Sequence, residues 1–265
     1  MALFMNIVGL PALVDTYENY IWVIHNNQQA WVVDPGEARP VIDYLQQNDL
    51  QLAGILITHK HGDHVNGINQ LVTQCATVGD LPIYGSALTP LAAINHPLQE
   101  GDAITLGDSL TLKVLYTPGH TEDHIAFYNE KMLFCGDTLF TAGCGRILGG
   151  SIEQFSDSVL KLRELPDDIA FYCGHEYTQT NLAFSQIVEP ENQALLERIQ
   201  NTHIDYPQIL TAAQSTLGEE KATNPFMRFD LNPLKKRLIE RGAANNPASL
   251  FATLRAWKDD FDRTH

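Results

Sequence analysis

The segment "GILITHKHGDHVNG", Gly54 to Gly67, constrains this chain most, because three histidines and an aspartate fall within six residues directly behind an apolar run. In an extended chain alternate residues point the same way, so His59 and His61 leave the end of the strand "GILIT" aimed at one point. Asp63 and His64 follow a glycine, where a turn into a helix would bring them to the same place. Burying such a cluster without a cation is costly. The segment therefore predicts a metal site at a strand end.

The same arrangement recurs behind three further apolar runs. "LYTPG" is followed by His120, "LFCG" by Asp137 and "FYCG" by His175. Because strand ends collect along one edge of a sheet, we expect these side chains to meet the first cluster. Together they offer seven donors, whereas a four-coordinate ion uses three or four. The pattern indicates two ions, with Asp137, the lone carboxylate at its strand end, as the bridge between them.

Charge and cysteine content limit the classes of partner and compartment. The chain has 17 basic and 32 acidic residues, a net charge of −15, so its mean field repels nucleic acid and anionic membranes. No apolar run approaches the roughly 20 residues that span a bilayer. Four cysteines without a C-x-x-C pair favour a reducing cytoplasm. Two of them, Cys135 and Cys173, end apolar runs and are predicted to be small buried residues.

The residues up to about 175 alternate short β-rich runs with Gly and Pro, which is typical of an α/β protein. The apolar start, 2–14, lacks a basic end and contains Asn6 and Pro11, so it predicts a first strand pair rather than a signal peptide. The predicted strands are "YIWVI", "AWVVDPG", "GILIT", "LTLKVLYTPG", "KMLFCGD" and "AFYCGH". Helices are predicted for "RPVIDYLQQ" and "SIEQFSDSVLKLREL".

Beyond residue 180 the strand signals fade and helix signals replace them. Asn-Pro pairs precede "LKKRLIERG" and "ASLFATLRAWKDDF", and both segments are predicted helices. The apolar stripe of the last helix comprises Leu250, Leu254, Trp257 and Phe261. Of the 17 basic residues, ten lie between Arg198 and Arg263. We therefore expect a metal-binding domain at 1–178 and a helical domain at 179–265.

The histidine and aspartate pattern resembles the metallo-beta-lactamase superfamily, whose hallmark is H-x-H-x-D-H behind a strand, with a later His, an Asp and a final His. Within that superfamily the whole chain is similar to the glyoxalase II family of hydroxyacylglutathione hydrolases. The motifs that carry this resemblance are "TYENYIW", "VDPG", "TPGHT", "GDTLFTAGCGR", "CGHEYT", "NPFMR" and "LRAWKDDF". The resemblance implies an αββα sandwich followed by a smaller helical domain.

Carried over position by position, the resemblance implies two ligand sets. One metal ion would be bound by His59, His61 and His120, the other by Asp63, His64 and His175, with Asp137 bridging them. His124 is either a residue that supports the ligands or a structural histidine. Histidine and carboxylate ligands suit zinc, which we expect first, and also iron or manganese.

The resemblance also implies a glutathione-binding set, comprising Arg146, Tyr177, Arg255 and Lys258. The last two are helical neighbours three residues apart, so two cations could hold a carboxylate, although a solvated basic face would show the same spacing. The chain departs from the family at two places. Leu148 stands where close relatives have Tyr, and Asp123 stands before His124 where many relatives have Gly.

The activity implied is hydrolysis of S-(2-hydroxyacyl)glutathione, such as S-D-lactoylglutathione, by a hydroxide bound between two metal ions and oriented by Asp63. Alternatives on the same scaffold are another hydrolase or an iron-dependent persulfide dioxygenase. Retention of both ligand sets and of the helical domain favours the thioester hydrolase. We expect a cytoplasmic monomer that acts on a small-molecule thioester and binds neither nucleic acid nor membrane.

Overall fold

The computed structural model describes residues 5–75 and 80–264, in which two six-stranded sheets lie face to face between helices. The strands of the first sheet, in spatial order, are β1 (Asn6–Ala12), β2 (Asn19–His25), β3 (Gln29–Val33), β4 (Gln51–Leu56), β5 (Ile83–Ser86) and β6 (His96–Leu98). The strands of the second sheet, in reverse spatial order, are β7 (Ala103–Leu106), β8 (Leu110–Tyr116), β9 (Ile125–Tyr128), β10 (Met132–Gly136), β11 (Ala170–Cys173) and β12 (Ser215–Thr216).

The helices fall into two groups along the chain. Those before residue 170 are α1 (Arg39–Gln47), α2 (Gly62–Val65), α3 (Ile68–Cys75) and α4 (Ile152–Arg163). Those after it are α5 (Thr178–Val188), α6 (Gln193–Asn201), α7 (Leu217–Thr223), a 3-10 turn (Pro225–Met227), α8 (Leu234–Glu240) and α9 (Pro247–Asp262). None of the helices in the described part of the chain has the length and apolar character needed to cross a membrane.

Three apolar layers hold the structure together. Trp22 and Trp31 of the first sheet pack against Phe127 and Phe134 of the second, in the layer between the sheets. Helices α1 and α3 cover the outer face of the first sheet. Helix α4 and the C-terminal helices cover the outer face of the second. The expected αββα sandwich with a C-terminal helical region is therefore confirmed.

Local sequence signals account for the longer elements. The predicted "RPVIDYLQQ" helix is α1, and the predicted "SIEQFSDSVLKLREL" helix is α4, which starts with a capping box between Ser151 and Gln154. Helix α9 starts where Asn246 accepts a hydrogen bond from the Ser249 amide. On β8, Leu112 is buried while Lys113 is exposed, as strand alternation predicts. The predicted types of these elements are confirmed.

The C-terminal region is joined to the sandwich by more than helix packing. Strand β12 pairs with β11, although the strand signals fade beyond residue 180. Arg163 of α4 donates two hydrogen bonds to the carboxylate of Asp230, at 2.5 and 2.9 Å. In addition, the outer face of the second sheet shares one apolar core with the C-terminal helices. The boundary at residue 178 stays a prediction.

The two sheets meet at a corner beside the predicted ligands. The Trp22 indole donates to the carbonyl oxygen of Cys173 at 2.9 Å, and the Tyr20 amide donates to that of Gly174 at 2.8 Å. Strands β8, β10 and β11 run in the same direction, so their carboxyl ends lie at one edge of the second sheet. The carboxyl end of β4 adds the cluster from the first sheet. The donors thus come from the edges of two sheets, not of one as the strand-end pattern suggested.

Candidate metal centre and substrate cavity

The first predicted ligand set converges through three imidazole nitrogens. His59 Nε2 lies 3.1 Å from His61 Nδ1, which lies 2.9 Å from His120 Nε2. His59 and His61 follow β4, where extended backbone sends both rings to one side, and His120 arrives from the loop after β8. The ligand atoms of all three residues lie within 4.8 Å of one another.

The second predicted set lies directly beside the first. Asp63 Oδ2 is 3.4 Å from both His64 Nε2 and His175 Nε2, and these two nitrogens are 3.3 Å apart. Asp63 and His64 lie on the single turn α2, and His175 follows β11. The strand end of β11 can approach this closely because residue 174 is glycine; a Cβ there would lie 2.5 Å from Asp137 Oδ1.

Asp137 lies between the two sets. Its Oδ2 is 3.4 Å from His120 Nε2 and 3.2 Å from His175 Nε2, and its Oδ1 is 3.4 Å from His64 Nε2. The side chain is buried, and Oδ1 receives no hydrogen bond from any described residue. A buried carboxylate oxygen without a donor is costly, and it is accounted for by a cation at this point.

The spacing of the donors also fits metal ions. Nitrogens bound to one zinc ion at about 2.0 to 2.1 Å in tetrahedral geometry are about 3.3 Å apart. The contacts between ring nitrogens here are 2.9 to 3.3 Å, and several of these nitrogens face one another. A single proton can serve only one such contact, so a cation satisfies the cluster better. All seven side chains are thus brought together in a geometry suited to two ions, and their role as ligands stays a prediction.

Hydrogen bonds on the far side of the rings hold the imidazoles in place. His120 Nδ1 contacts the carbonyl oxygen of Arg146 at 2.6 Å, and His175 Nδ1 contacts that of Tyr17 at 2.7 Å. Since a carbonyl can only accept, each Nδ1 donates, and in the neutral ring each Nε2 then has a lone pair for the site. The chain thus fixes both the orientation and the tautomer of these rings.

Asp34 is a supporting residue that sequence reasoning did not find. Its Oδ1 accepts from the Thr58 amide at 2.7 Å, and its Oδ2 accepts from Thr58 Oγ1 at 2.6 Å and from His64 Nδ1 at 3.0 Å. Asp34, His59 and His64 also have ligand atoms within 4.8 Å of one another, but these hydrogen bonds already occupy the Asp34 carboxylate. In the sequence, Asp34 is noted only as part of the "VDPG" motif, which assigns it no role in the site.

His124, which the sequence left open between a supporting and a structural role, contacts the backbone beneath the site. Its Nε2 accepts from the Asp137 amide at 3.1 Å, and its Nδ1 lies 2.9 Å from Thr117 Oγ1. The ring stacks on His59 with centroids 4.9 Å apart. His124 therefore positions Asp137 and His59, and it takes no place among the facing donor atoms.

The imidazoles of the first set are neutral at neutral pH. Burial lowers the pKa of His59 and of His120, and burial together with the neighbouring imidazole of His120 lowers the pKa of His61. A neutral imidazole is the form that binds a metal ion, so no proton has to be removed first.

The carboxylates of Asp63 and of the bridging Asp137 are ionised, while His64 keeps a proton. Burial raises the pKa of Asp63, but the hydrogen bond and charge of His64 outweigh it and bring that pKa to about 2. Burial likewise opposes ionisation of Asp137, yet His175 and His64 hold its pKa well below the usual range. Burial lowers the pKa of His64, but Asp137, Asp34 and Asp63 together raise it well above the usual value. These carboxylates attract a cation, and a proton on His64 competes with a metal ion for the same nitrogen.

A cavity of about 520 Å³ opens directly over the cluster. All four predicted substrate-binding residues line it together with five of the seven predicted ligands. The ligands that line it are His61, Asp63, His120, Asp137 and His175. A volume of this size holds a small organic molecule. The structure therefore places the predicted metal and substrate residues on one surface.

The cations of this cavity differ in how firmly they are held. Arg255 has a side chain only 5% exposed, and it donates to the carbonyl oxygen of Cys144 at 3.1 Å and to Asp259. The Lys258 amine is also buried and forms an ion pair with Asp262. Arg146 lies at the rim with its side chain 65% exposed. We call Arg146, Arg255 and Lys258 the cation clamp.

Tyr177 and Leu148 also line the cavity. The Tyr177 ring stacks on His175 with centroids 4.9 Å apart, and its hydroxyl donates to the Tyr17 carbonyl oxygen at 2.9 Å. Tyr177 thus offers the substrate an aromatic face, because its hydroxyl already has a partner. Leu148 is 56% exposed at the rim.

Comparison with known proteins divides the chain between two family models. The model of the metallo-beta-lactamase superfamily matches residues 14–175, and the model of the hydroxyacylglutathione hydrolase C-terminus matches residues 176–261. The chain is 47% identical to the hydroxyacylglutathione hydrolase of Hydrogenovibrio crunogenus, over 98% of this chain and 97% of that protein. It is 43% identical to the hydroxyacylglutathione hydrolase of Nitrosomonas europaea, over 92% and 93%.

Among solved structures, ETHE1 from Myxococcus xanthus superposes with a TM-score of 0.62 at 24% identity. The superposition covers 94% of this chain and 97% of that one. At this identity the likeness concerns the fold alone.

Proposed function

Because this chain belongs to the hydroxyacylglutathione hydrolase family of the metallo-beta-lactamase superfamily, we propose that its seven-residue cluster binds two divalent ions beside the thioester bond of the substrate. The enzyme hydrolyses S-(2-hydroxyacyl)glutathione to glutathione and a 2-hydroxy acid. We call the seven predicted ligands the donor cluster. The observation that carries the proposal is one cavity lined by both the donor cluster and the cation clamp. This cavity supports the proposal because it brings the predicted metal ligands beside cations that suit an anionic substrate.

The donor cluster supplies the ligands, with His59, His61 and His120 assigned to one ion, and Asp137 as the bridge. The remaining three, Asp63, His64 and His175, are assigned to the other. Divalent ions bound here would lower the pKa of a water molecule and stabilise negative charge on a carbonyl oxygen. We propose zinc as the ion, with iron and manganese as the alternatives that the same ligand types accept.

The protein's own groups orient the reactants. Asp63 lines the cavity, and Asn19 Nδ2 donates to its Oδ2 at 3.3 Å and to its backbone carbonyl oxygen at 3.2 Å. We assign Asp63 the task of accepting a hydrogen bond from the attacking water and so aiming it at the thioester carbon. The leaving group is a thiolate whose conjugate thiol has a pKa of about 8.5, so it can depart without a dedicated acid.

The cation clamp binds the glutathione part of the substrate. Glutathione carries two carboxylates. Arg255, Lys258 and Arg146 provide local positive charge that attracts them, although the net charge of the protein is −15 and repels anions. Local charges prevail here because distant ones are screened within about 8 to 10 Å. Tyr177, whose ring stacks on His175, adds an aromatic wall to the same cavity.

The test is hydrolysis of S-D-lactoylglutathione by purified enzyme, followed as release of free thiol, with metal content measured on the same sample. We expect thiol release that disappears on removal of the metal ions and returns with zinc, and close to two ions per chain. Oxygen consumption with glutathione persulfide serves as the second arm. Oxygen uptake without thiol release from the thioester would overturn the hydrolase proposal.

We also propose that the enzyme acts as a monomer in the cytoplasm. All four cysteines are free, and three of them, Cys135, Cys144 and Cys173, are buried, as predicted from the sequence for the first and last. Unpaired cysteines suit a reducing compartment. Light scattering coupled to gel filtration gives the mass in solution, and a value of twice 29.5 kDa would contradict the monomer.

A further inference from the structure

One carboxylate of the protein already lies among the three cations of the clamp. Lys258 Nζ contacts Asp262 Oδ1, while Arg255 Nη2 and Arg146 Nη2 lie 3.5 and 3.8 Å from Asp262 Oδ2. The Asp262 side chain is 15% exposed and lines the same cavity as the clamp. An internal anion thus occupies the space between the groups that would hold an external one.

Helix geometry explains how Asp262 reaches this position. It lies four residues after Lys258 and seven after Arg255 on α9, so all three side chains share one face of the helix. Asp262 is also the last residue of α9, where the helix dipole disfavours a carboxylate. The ion pairs with the clamp offset that cost. A terminal helical residue is also one of the easiest to displace, because the last turn frays.

We propose that Asp262 is an internal competitor that occupies, in the free enzyme, the position taken by a carboxylate of glutathione, and so weakens substrate binding. This inference rests on the proposed function, since it takes the anion to be glutathione. Asp262 would have to swing away from the clamp when substrate binds. Binding then exchanges one carboxylate for another at the clamp, so the net gain in binding free energy is smaller than the attraction of the clamp for glutathione alone.

The contacts of Arg255 distinguish competition from simple positioning. Arg255 is held by the Cys144 carbonyl oxygen at 3.1 Å and by Asp259 at 3.0 Å, so it keeps its place without Asp262. Lys258 lies against the rings of Phe184 and Phe261, 5.8 and 5.6 Å from their centroids. Removing the Asp262 charge should therefore free the clamp rather than collapse it.

The test compares Asp262→Asn with the metal-loaded wild-type enzyme, using glutathione itself as the probe in titration calorimetry. We expect the Kd of glutathione and the KM of S-D-lactoylglutathione to fall by about fivefold, the ratio that one partly exposed ion pair is worth, while kcat changes far less. Asp262→Ala should shift both in the same direction. Asp260→Asn is the matched control, since Asp260 lies on the same helix but pairs with Arg263 at the surface.

A second probe isolates the charge. Glutathione diethyl ester has no free carboxylate, so Asp262→Asn should leave its binding unchanged. An unchanged or higher Kd of glutathione in Asp262→Asn would overturn the inference, as would an equal gain for the ester. If the wild-type enzyme binds glutathione but releases no thiol from S-D-lactoylglutathione, the proposed function fails instead. Thiol release with an unchanged Kd leaves the function intact and rejects only the competitor.

Discussion

The donor cluster and the cation clamp face the same cavity, but they are built in opposite ways. The cluster comes from the ends of four strands in two sheets, and backbone carbonyls or buried carboxylates fix its rings. The clamp comes mostly from one helix, and its cations are held largely by neighbouring carboxylates. On the proposed assignment, the fold therefore dictates the geometry of the chemistry, whereas single side chains set the affinity for the substrate.

One loop connects the two regions. The carbonyl oxygen of Arg146 accepts from His120 Nδ1 at 2.6 Å, while the Arg146 guanidinium belongs to the clamp. Two residues earlier, the carbonyl oxygen of Cys144 accepts from Arg255. The backbone of this loop thus supports both the cluster and the clamp. Of its side chains, that of Arg146 belongs to the clamp alone. Substitutions can test whether the division between chemistry and affinity holds.

The largest effect is expected at the centre of the cluster. Asp137→Asn keeps the shape of the side chain but removes the charge that lies between the two ligand sets. We expect the metal content to fall well below two ions per chain and kcat to fall by about a thousandfold or more. Metal analysis and thiol release measure the two quantities. The surface variant Asp260→Asn is the control, and full metal content with near-normal kcat in Asp137→Asn would refute the bridge.

A smaller but clear effect is expected one layer away, at Asp34. Its carboxylate accepts three hydrogen bonds from Thr58 and His64, and Asn has only one oxygen with which to accept them. We expect Asp34→Asn to weaken metal binding or lower kcat by about 10- to 100-fold, with KM changed much less. Asp43→Asn on the exposed face of α1 is the control. A change confined to KM would mean that Asp34 affects substrate affinity rather than the chemistry, which would contradict the division between the two regions.

Asp34 also shows where sequence reasoning stops. The seven donors could be predicted because each follows an apolar run, and strand ends are local features of a sequence. The role of Asp34 depends on β3 pairing in parallel with β4, which brings Asp34 to Thr58 across a separation of 24 residues. Nothing in the "VDPG" turn itself shows which strand will lie beside it. The contacts of Tyr17 with His175 are hidden for the same reason.

The fold shows a similar limit. Helices α1, α4 and α9 could be predicted from caps and apolar stripes because those signals lie within the helix. Strands β6 and β12 could not, since they have three and two residues. In β6 one of the three is Pro97, which only an edge strand accepts. Such strands exist because a neighbouring strand provides their hydrogen bonds.

On the clamp side, Lys258→Met tests affinity without disturbing the packing. Methionine keeps an apolar stem against Phe184 and Phe261 and removes the charge. We expect KM to rise by about tenfold while kcat and metal content change little. Lys236→Met, an exposed residue paired with Glu240, is the control. A fall in kcat at constant KM would mean that the clamp contributes to the chemistry. The separation of chemistry in the cluster from affinity in the clamp would then be wrong.

The smallest effect is expected at Leu148, whose amide contacts the backbone of the cluster residue His120 and whose side chain lines the cavity that the clamp also lines. Its amide donates to the carbonyl oxygen of His120 at 2.8 Å, a contact that any non-proline residue keeps. Its side chain is half exposed at the cavity rim, where the family resemblance expects Tyr. Leu148→Tyr adds a hydroxyl that can donate to glutathione, and one added hydrogen bond should lower KM by about two- to fivefold. Leu148→Phe adds the ring without the hydroxyl, so an equal fall in KM for both variants would assign the gain to apolar contact. A change in kcat or metal content for either variant would show that the rim and the cluster are coupled through more than the backbone.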